Sequence, residues 1–88
     1  MDKPIISFEP NFARLYRRLP ENIKQKFQKQ IKFLSKNPKH PSLKIHKIKS
    51  HSEPGEFYVD KYYTCLFTKK ENKYLLRCVE IHKTIDRI

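Results

Sequence analysis

The stretch PENIKQKFQKQIKFLSKNP, residues 20–38, decides the fold class because it carries the strongest helical pattern in the chain. Its apolar residues recur at helical spacing and form one stripe: Ile23, Phe27, Ile31 and Leu34, with Phe33 at its margin. Pro20 suits the first turn of a helix, and Glu21 lies near the positive end of the helix dipole. The sequence therefore predicts an amphipathic helix that buries this stripe and exposes its lysines.

Two shorter elements precede this helix. FARLYRRL, residues 12–19, has apolar residues at helical spacing and arginines on the other face, and Asn11 stands where an N-cap belongs. IISFEP, residues 5–10, is a β-branched and aromatic run that a proline closes, which predicts a first strand. Because Pro20 leaves only a tight connection between the two helices, we expect them to form an antiparallel hairpin.

The hydrophobic period changes after the helix from helical to alternating. SLKIHKIK, residues 42–49, predicts a strand, and SHSEPGE, residues 50–56, predicts a polar loop that holds the only glycine. FYVDKYYTCLFTKK, residues 57–70, predicts two strands or one bent strand. ENK, residues 71–73, predicts a tight turn, and YLLRCVEI, residues 74–81, predicts the last strand.

These elements give the order β-α-α-β-β-β(-β), which is an α+β pattern. We predict a single domain over residues 1–88, with the N-terminal helical hairpin packed on one face of a twisted, mainly antiparallel sheet. The other face of such a sheet is left uncovered, as antiparallel sheets permit. We call this uncovered side the open face.

The charge balance favours a polyanionic partner. The chain has 20 Lys and Arg against 9 Asp and Glu, a formal net charge of +11 on 88 residues. Such a field attracts nucleic acid, an anionic membrane surface or an acidic protein. Binding to any nucleic acid should weaken steeply with salt.

Composition also argues against several classes of protein. With one glycine, the chain does not support a glycine-rich phosphate loop, and no apolar run approaches the length of a membrane span. Cys65 and Cys78 fit neither a zinc spacing nor a disulfide framework, so we expect reduced core thiols, a cytoplasmic protein, and no metal or cofactor.

Strand alternation selects candidate residues on the open face. It places Tyr62 and Thr64 there, and we expect Tyr58 and Asp60 to join them from the preceding strand. In the last strand, regular alternation puts His82 on the side of three residues: Leu76, Cys78 and Glu80. The opposite side then receives Arg77 with Leu75, Val79 and Ile81, although a bulge would reverse part of this assignment.

A basic sheet surface with tyrosines and one histidine suits single-stranded RNA. Lysines bind phosphates and aromatic faces stack on unpaired bases. RNA carries its own nucleophile, the 2′-hydroxyl, so an enzyme needs to align it, take its proton, shield the phosphate and protonate the leaving oxygen. His82 is the side chain best matched to moving protons near neutral pH.

Three segments carry a family resemblance. KNPKHPSLKIHKIK, residues 36–49, resembles the NP-x-HPSL stretch that follows the second helix in a RelE-like branch of the RelE/ParE superfamily. DKYYTCLF, residues 60–67, resembles a strand of that branch, and LLRCVEIHKTI, residues 75–85, resembles its closing strand. The resemblance covers nearly the whole chain and identifies it with the toxins of type II toxin–antitoxin modules.

The resemblance implies a toxin that cuts mRNA in the ribosome by attack of the 2′-hydroxyl, and a cognate antitoxin that neutralises it. His82 would be general base or acid, and the toxin would be a monomer within a hetero-oligomeric complex. The candidate catalytic residues are His82, Arg77, Lys61 and Tyr62. The candidate substrate-binding residues are Lys44, Lys47, Lys49, Tyr58, Asp60 and Thr64.

Departures from the family pattern keep two alternatives open. Thr64 stands where the family has a phosphate-binding arginine, and Glu80 replaces the glycine before the histidine. One alternative is a ParE-like inhibitor of DNA gyrase, whose expression would damage DNA and leave mRNA intact. The other is a catalytically weak nucleic-acid-binding protein of the same fold, which Thr64 favours and which would not arrest growth.

Overall fold

The structure, a computed structural model, describes residues 3–47 and 54–81, without the side chains of residues 47 and 54. Its elements in chain order are β1 (Ile5–Phe8), α1 (Phe12–Arg17), α2 (Glu21–Lys36), a 3-10 turn (Pro41–Leu43), β2 (His46–Lys47), β3 (Pro54–Asp60), β4 (Tyr63–Lys70) and β5 (Lys73–Ile81). The strands form one sheet in the order β1-β5-β4-β3-β2. β1 runs parallel to β5 and the other pairs are antiparallel. The predicted α+β class and mainly antiparallel sheet are confirmed.

A continuous path of aromatic rings joins the helices to one face of the sheet. Ring centroids lie 5.7 Å apart between Phe12 and Phe27, and 6.2 Å apart between Phe27 and Phe57. The path continues across the sheet through Phe67 to Tyr74, with centroids 6.1 Å and 5.3 Å apart. Burial of each such ring contributes about 1.5–3 kcal/mol, so this face holds the core and the other face is the open face.

The two helices contact each other through Tyr16. Its hydroxyl donates to Lys24 O at 3.3 Å and accepts from Gln28 Nε2 at 3.0 Å. Asn11 takes the N-cap position of α1, as predicted, but makes no capping bond. Its Oδ1 accepts instead from the Arg14 guanidinium, at 2.9 Å and 2.7 Å.

The strand predicted for residues 42–49 is mostly absent from the described residues. Residues Pro41–Leu43 form a 3-10 turn, and only His46–Lys47 pair as a strand. His40 caps the turn, because its Nδ1 accepts from Ser42 N at 3.1 Å, and its ring stacks on Phe33 at 3.9 Å. Leu43 is fully buried, so the pattern correctly marked an apolar residue that faces inward, although it predicted the wrong backbone conformation.

The polar loop predicted for residues 50–56 is wrong at its end, since β3 already begins at Pro54. Gly55 lies opposite Phe67 in the sheet. A Cβ added to Gly55 would come within 2.8 Å of Phe67 Cζ and 2.9 Å of His46 O, an atom of the neighbouring strand β2. The glycine therefore serves close packing within the sheet rather than a flexible loop.

Two bulges change which side chains face the helices. Val59 is an extra residue in β3, because Tyr58 pairs with Thr64 while Asp60 pairs with Tyr63. Arg77 is an extra residue in β5, because Leu76 and Cys78 pair with consecutive residues of β4. The regular alternation predicted for the last strand is therefore wrong at two residues: Leu76 is fully buried in the core, and Leu75 lies opposite Thr68 on the other side of the sheet.

The helices of the described residues are also too short or too polar to cross a bilayer.

Candidate nucleic-acid interface

Strand register assembles the centre of the open face. Tyr58 of β3 lies opposite Thr64 of β4, which lies opposite Glu80 of β5. Directly opposed residues of antiparallel strands project to the same side, so these three form one row. The neighbouring residues Phe57 and Cys65 are fully buried on the helix side, which confirms that the row faces away from the helices.

Lys44 lies at the edge of this row. Its ammonium is 4.7 Å from the centroid of the Tyr58 ring, a cation–π contact. The backbone of Lys44 is left-handed, with φ of 44°, because the residue ends the 3-10 turn and directs the chain toward β2. The structure thus brings together two of the predicted substrate-binding residues, a cation and an aromatic ring.

Thr64 is present in the row but is poorly suited to bind phosphate. It is 6% exposed, and its Oγ1 donates to Phe57 O at 3.0 Å. A hydroxyl has one proton to donate, and here that proton is committed to the backbone. Thr64 therefore supports the packing of the row, and the charge that an arginine would supply must come from elsewhere.

Asp60 does not face the open side. The extra residue Val59 turns it toward α2, where its Oδ2 accepts from Lys26 Nζ at 2.9 Å and its Oδ1 accepts from Tyr62 N at 2.7 Å. Burial acts to raise the pKa of Asp60, but the Tyr62 N–H and the charges of Lys26 and Lys61 outweigh it, so the pKa lies below its ordinary value. The placement of Asp60 on the open face was wrong, and the carboxylate acts as a turn anchor.

The turn between β3 and β4 presents Lys61 and Tyr62. Tyr62 is 57% exposed, one of the most exposed large side chains among the described residues. The Lys61 ammonium lies 5.3 Å from the centroid of the Tyr62 ring. Because Asp60 holds the backbone of this turn, the cation and the ring are displayed together at one end of the sheet.

Arg77 lies farther along β5. As the extra residue of the bulge it is exposed, with Nη1 3.4 Å from Thr68 Oγ1 and Nε 3.9 Å from Glu9 Oε2. It precedes Glu80 by three positions, or about 10 Å along a strand. The regular alternation that placed Arg77 among core residues was wrong, since the bulge turns it outward; its guanidinium is, however, partly neutralised by Glu9.

Neither cysteine offers a nucleophile at neutral pH. Burial raises the pKa of Cys65 well above its ordinary value, and Cys78 adds to that shift. Burial also raises the pKa of Cys78, to which the Glu80 carboxylate contributes. Both thiols are free, and they lie on opposite faces of the sheet. The predicted core position is confirmed for Cys65, whereas Cys78 is only half-buried.

The centre of the open face is less basic than the sequence predicted. Its central rows carry Glu56 and Glu80, whereas the cations lie toward its margins: Lys44, Lys61, Arg77 and the opposed pair Lys70 and Lys73. Many of the lysines lie instead on α2: Lys24, Lys26, Lys29, Lys32 and Lys36. Because the apolar stripe of α2 packs inward, its basic side is on the outer surface behind the sheet.

Some candidates fall outside the description. His82 and Lys49 lie outside the described residues, and of Lys47 only the backbone is described. Their roles stay predictions. Between residues 3 and 47 and between 54 and 81, no three His, Cys, Asp or Glu side chains gather as metal ligands.

Sequence reasoning missed Gln30, a buried polar residue on α2. It is 4% exposed, and its Nε2 donates to Tyr58 O at 2.7 Å and to Ser42 O at 3.0 Å. A glutamine three positions after Phe27 and four before Leu34, in line with the apolar stripe, was the available signal. It also missed Lys26 and Lys29, which lie beside the β3–β4 turn.

No family model matches this sequence, and no curated protein matches it significantly. The structure, in contrast, matches solved toxin structures. The RelE–RelB complex of the archaeon Pyrococcus horikoshii matches with a TM-score of 0.74 and 9% identity, covering 93% of this chain and 98% of that one.

Two further solved structures give the same result. The RelB–RelE antitoxin–toxin complex of Methanococcus jannaschii has a TM-score of 0.74 at 19% identity, covering 90% of this chain and 93% of that one. The YoeB dimer of Staphylococcus aureus has a TM-score of 0.66 at 17% identity, covering 92% and 99%. At such identities the likeness concerns the fold, and the chain has the fold of the RelE-like toxins.

Proposed function

We propose that this protein is the toxin of a type II toxin–antitoxin module and that it cuts mRNA on the ribosome by attack of the 2′-hydroxyl. The observation that carries the proposal is the match of nine-tenths or more of the chain to several toxins of one fold. Fold alone does not imply function, so the argument also rests on the side chains of the open face.

The reaction needs only proton transfer and charge stabilisation. The 2′-oxygen attacks the adjacent phosphorus as a base takes its proton, and the bond from phosphorus to the 5′-oxygen breaks as that oxygen receives a proton. The products are a 2′,3′-cyclic phosphate and a 5′-hydroxyl, with no other reactant consumed. A histidine near its ordinary pKa suits this exchange at neutral pH.

His82 is our candidate for the proton-transfer group. It follows β5 directly in the sequence, two positions after Glu80, which ends the row that begins at Tyr58. The thiols of Cys65 and Cys78 are held protonated, so neither competes with it as a base at neutral pH.

Cations and rings near the same row would hold the RNA. Lys44 and Lys61 each lie beside a tyrosine, Tyr58 and Tyr62, so that a phosphate and a base could be bound side by side. We assign phosphate contacts to these lysines, with Arg77 as a third cation farther along the strand. Thr64 is left out of this set because its proton is donated to the backbone.

The test uses ribosomes programmed with a defined mRNA and the purified protein, with cleavage sites mapped by primer extension. We expect cleavage by the unaltered protein, and a loss of about 10²–10⁴ in rate for His82→Ala. Cleavage at an unchanged rate by His82→Ala would overturn the assigned mechanism. Growth arrest with broken DNA and intact mRNA would overturn the proposed activity in favour of gyrase inhibition.

A second candidate function is RNA binding without cleavage, and Thr64 favours it. The position offers neither a guanidinium nor a free donor for the phosphate, so transition-state charge is stabilised less. Under this function the protein binds programmed ribosomes but leaves the mRNA intact.

The toxin proposal includes an acidic antitoxin as partner. A domain with a formal charge of +11 would be neutralised by an acidic amphipathic segment that covers its basic surface, giving a hetero-oligomer that contains the toxin as a monomer. Co-expression with the product of a neighbouring small reading frame should relieve growth arrest and give a single species in size-exclusion chromatography. Continued arrest with every neighbouring product would contradict this partner.

A further inference from the structure

A basic recess lies behind the sheet, between α2 and the turn that joins β3 to β4. Its volume is about 340 Å³. The residues that line it come from the helix, the 3-10 turn and β3 with its following turn: Lys26, Lys29, Gln30, Ser42, Tyr58, Val59, Asp60 and Lys61. None of the three lysines belongs to the core, and they converge although α2 and the turn are about 30 positions apart in sequence.

The charges of this recess do not cancel. Asp60 is the one acid among the described lining residues, and its carboxylate is bound to Lys26 at 2.9 Å and to the backbone of the turn. Lys29 and Lys61 form no ion pair within the described residues. The recess therefore keeps a net charge of about two positive units, and a bound anion would relieve the repulsion between the ammonium groups.

Two polar side chains of the recess wall already have hydrogen-bond partners within the protein. The Gln30 amide already donates to two carbonyls, and the Ser42 hydroxyl lies 2.9 Å from His40 Nδ1. The charged donors that remain for an anion are the lysine ammonium groups. Such a set binds a phosphate as a point charge, without the fixed orientation that a guanidinium would impose.

The recess and the open face share Tyr58 as a bordering residue. Tyr58 lines the recess and also begins the row on the open face, where Lys44 lies over its ring. Lys61 lines the recess and also lies over Tyr62. A strand of RNA that leaves the open face at this end of the sheet would meet the recess next.

We propose that this recess, in which Lys29 and Lys61 form no ion pair within the described residues, binds a backbone phosphate of single-stranded RNA that passes from the open face around the β3–β4 end of the sheet. The inference deepens the proposed function, on which it rests, by giving the substrate a binding path longer than the cleavage site. It explains why cations gather on the helix side while the described centre of the open face carries glutamates.

The test compares two charge reversals on one helix. Lys29→Glu places a carboxylate in the recess, and Lys32→Glu, the matched control, changes the net charge equally at an exposed position outside it. The probe is a fluorescein-labelled single-stranded RNA of about twelve nucleotides, within the range of site sizes for such grooves. Fluorescence anisotropy gives the Kd at several salt concentrations, and circular dichroism verifies that both variants are folded.

We expect Lys29→Glu to raise the Kd about tenfold or more and to lower the slope of log K against log salt by about 0.7 or more, the value for one lost contact to a single strand. Lys32→Glu should change the Kd much less. An RNA of about four nucleotides, too short to span both regions, should bind both variants alike. Equal effects of the two substitutions on the longer RNA would overturn the proposal, because net charge alone would then explain binding.

Kinetics on programmed ribosomes separate this inference from the proposed function. Lys29→Glu should raise KM with little change in kcat, whereas His82→Ala should lower kcat. If the unaltered protein cleaves and Lys29→Glu matches Lys32→Glu in KM, the recess proposal fails and the function stands. If the unaltered protein does not cleave but the binding difference remains, the function fails and the recess proposal stands. Lys29→Glu is also compared with Lys32→Glu in binding to poly-glutamate. If Lys29→Glu binds poly-glutamate more weakly than Lys32→Glu but binds RNA equally well, the recess proposal is overturned in favour of an acidic protein ligand.

Discussion

The side-chain amide of Gln30 joins α2 to the strand that carries Tyr58. Its Nε2 lies 2.7 Å from Tyr58 O and 3.0 Å from Ser42 O, and the side chain is almost completely buried. One amide thus fixes the distance between β3 and the 3-10 turn that ends at Lys44. The contact of Lys44 with the Tyr58 ring spans the same two segments, so Gln30 positions a cation and an aromatic ring that it does not touch.

Gln30→Leu should reduce both stability and RNA binding. The substitution leaves two carbonyls without this donor, and each such loss costs about 1–3 kcal/mol when the group is buried. Urea unfolding should therefore show a loss of about 2–6 kcal/mol in the free energy of unfolding. Gln25→Leu, at an exposed position of the same helix, is the control and should change it by less than about 0.5 kcal/mol. Equal effects of both substitutions would contradict the assigned role.

Asp60 should make the stability of the protein depend on acid pH. Because the pKa of Asp60 is lowered in the folded state, its contribution is complete above the ordinary value of 3.8 and is lost as the pH falls through the folded value. Asp60→Asn should cost about 1–3 kcal/mol near pH 7, as expected for hydrogen bonds to a charged group. The difference from the unaltered protein should shrink below pH 3.8.

The measurement for Asp60 is urea unfolding from about pH 7 to about pH 2, comparing Asp60→Asn with the unaltered protein. Lys26→Gln serves as a second variant, since it removes the ion pair but keeps the bond from Tyr62 N. It should show a smaller loss than Asp60→Asn. A difference that stays constant over the whole pH range would show that Asp60 acts through shape alone.

Gly55→Ala should destabilise the sheet. An added Cβ would come within 2.8 Å of Phe67 Cζ and 2.9 Å of His46 O, and the second of these is backbone that cannot rotate away. Overpacking of this kind costs about 1–3 kcal/mol. Thermal unfolding should show a lower Tm for Gly55→Ala, while Glu56→Ala, at the next position, should have a small effect. An unchanged Tm for Gly55→Ala would mean that β2 can move away from β3.

The features that sequence could predict are those that a regular period encodes. The stripe of Ile23, Phe27 and Leu34 faces the core, and the alternation of Thr64 and Cys65 gives the two sides of β4 correctly. Both follow from the geometry of a helix of 3.6 residues per turn and a strand of period two. A substitution by a polar residue inside the stripe, as at Gln30, has no meaning until the carbonyls that it reaches are known.

The sequence could not predict which side of the sheet a residue faces where a bulge adds one residue to a strand. The bulges at Val59 and Arg77 each shift the alternation by one, so Asp60 turned toward α2 and Leu76 turned into the core. Apart from the G1 type, which needs glycine, a bulge requires no particular residue type. The segments around Val59 and Arg77 are therefore equally compatible with a regular strand. The face assignments of the candidate residues Asp60 and Arg77 were wrong for this reason, because they were made by counting along strands.

The ring of Tyr58 should stack on an RNA base, with Lys44 beside it to bind the adjoining phosphate. Stacking on an aromatic side chain contributes about 1–3 kcal/mol per base, so Tyr58→Leu should raise the Kd for single-stranded RNA by about 5- to 150-fold. Tyr58→Phe keeps the ring face and should bind nearly as well as the unaltered protein. Fluorescence anisotropy measures the Kd of each variant for a homopolymer of uridine and for one of adenosine. Equal weakening by the two substitutions would assign the effect to the hydroxyl, and no weakening by either would remove Tyr58 from the interface.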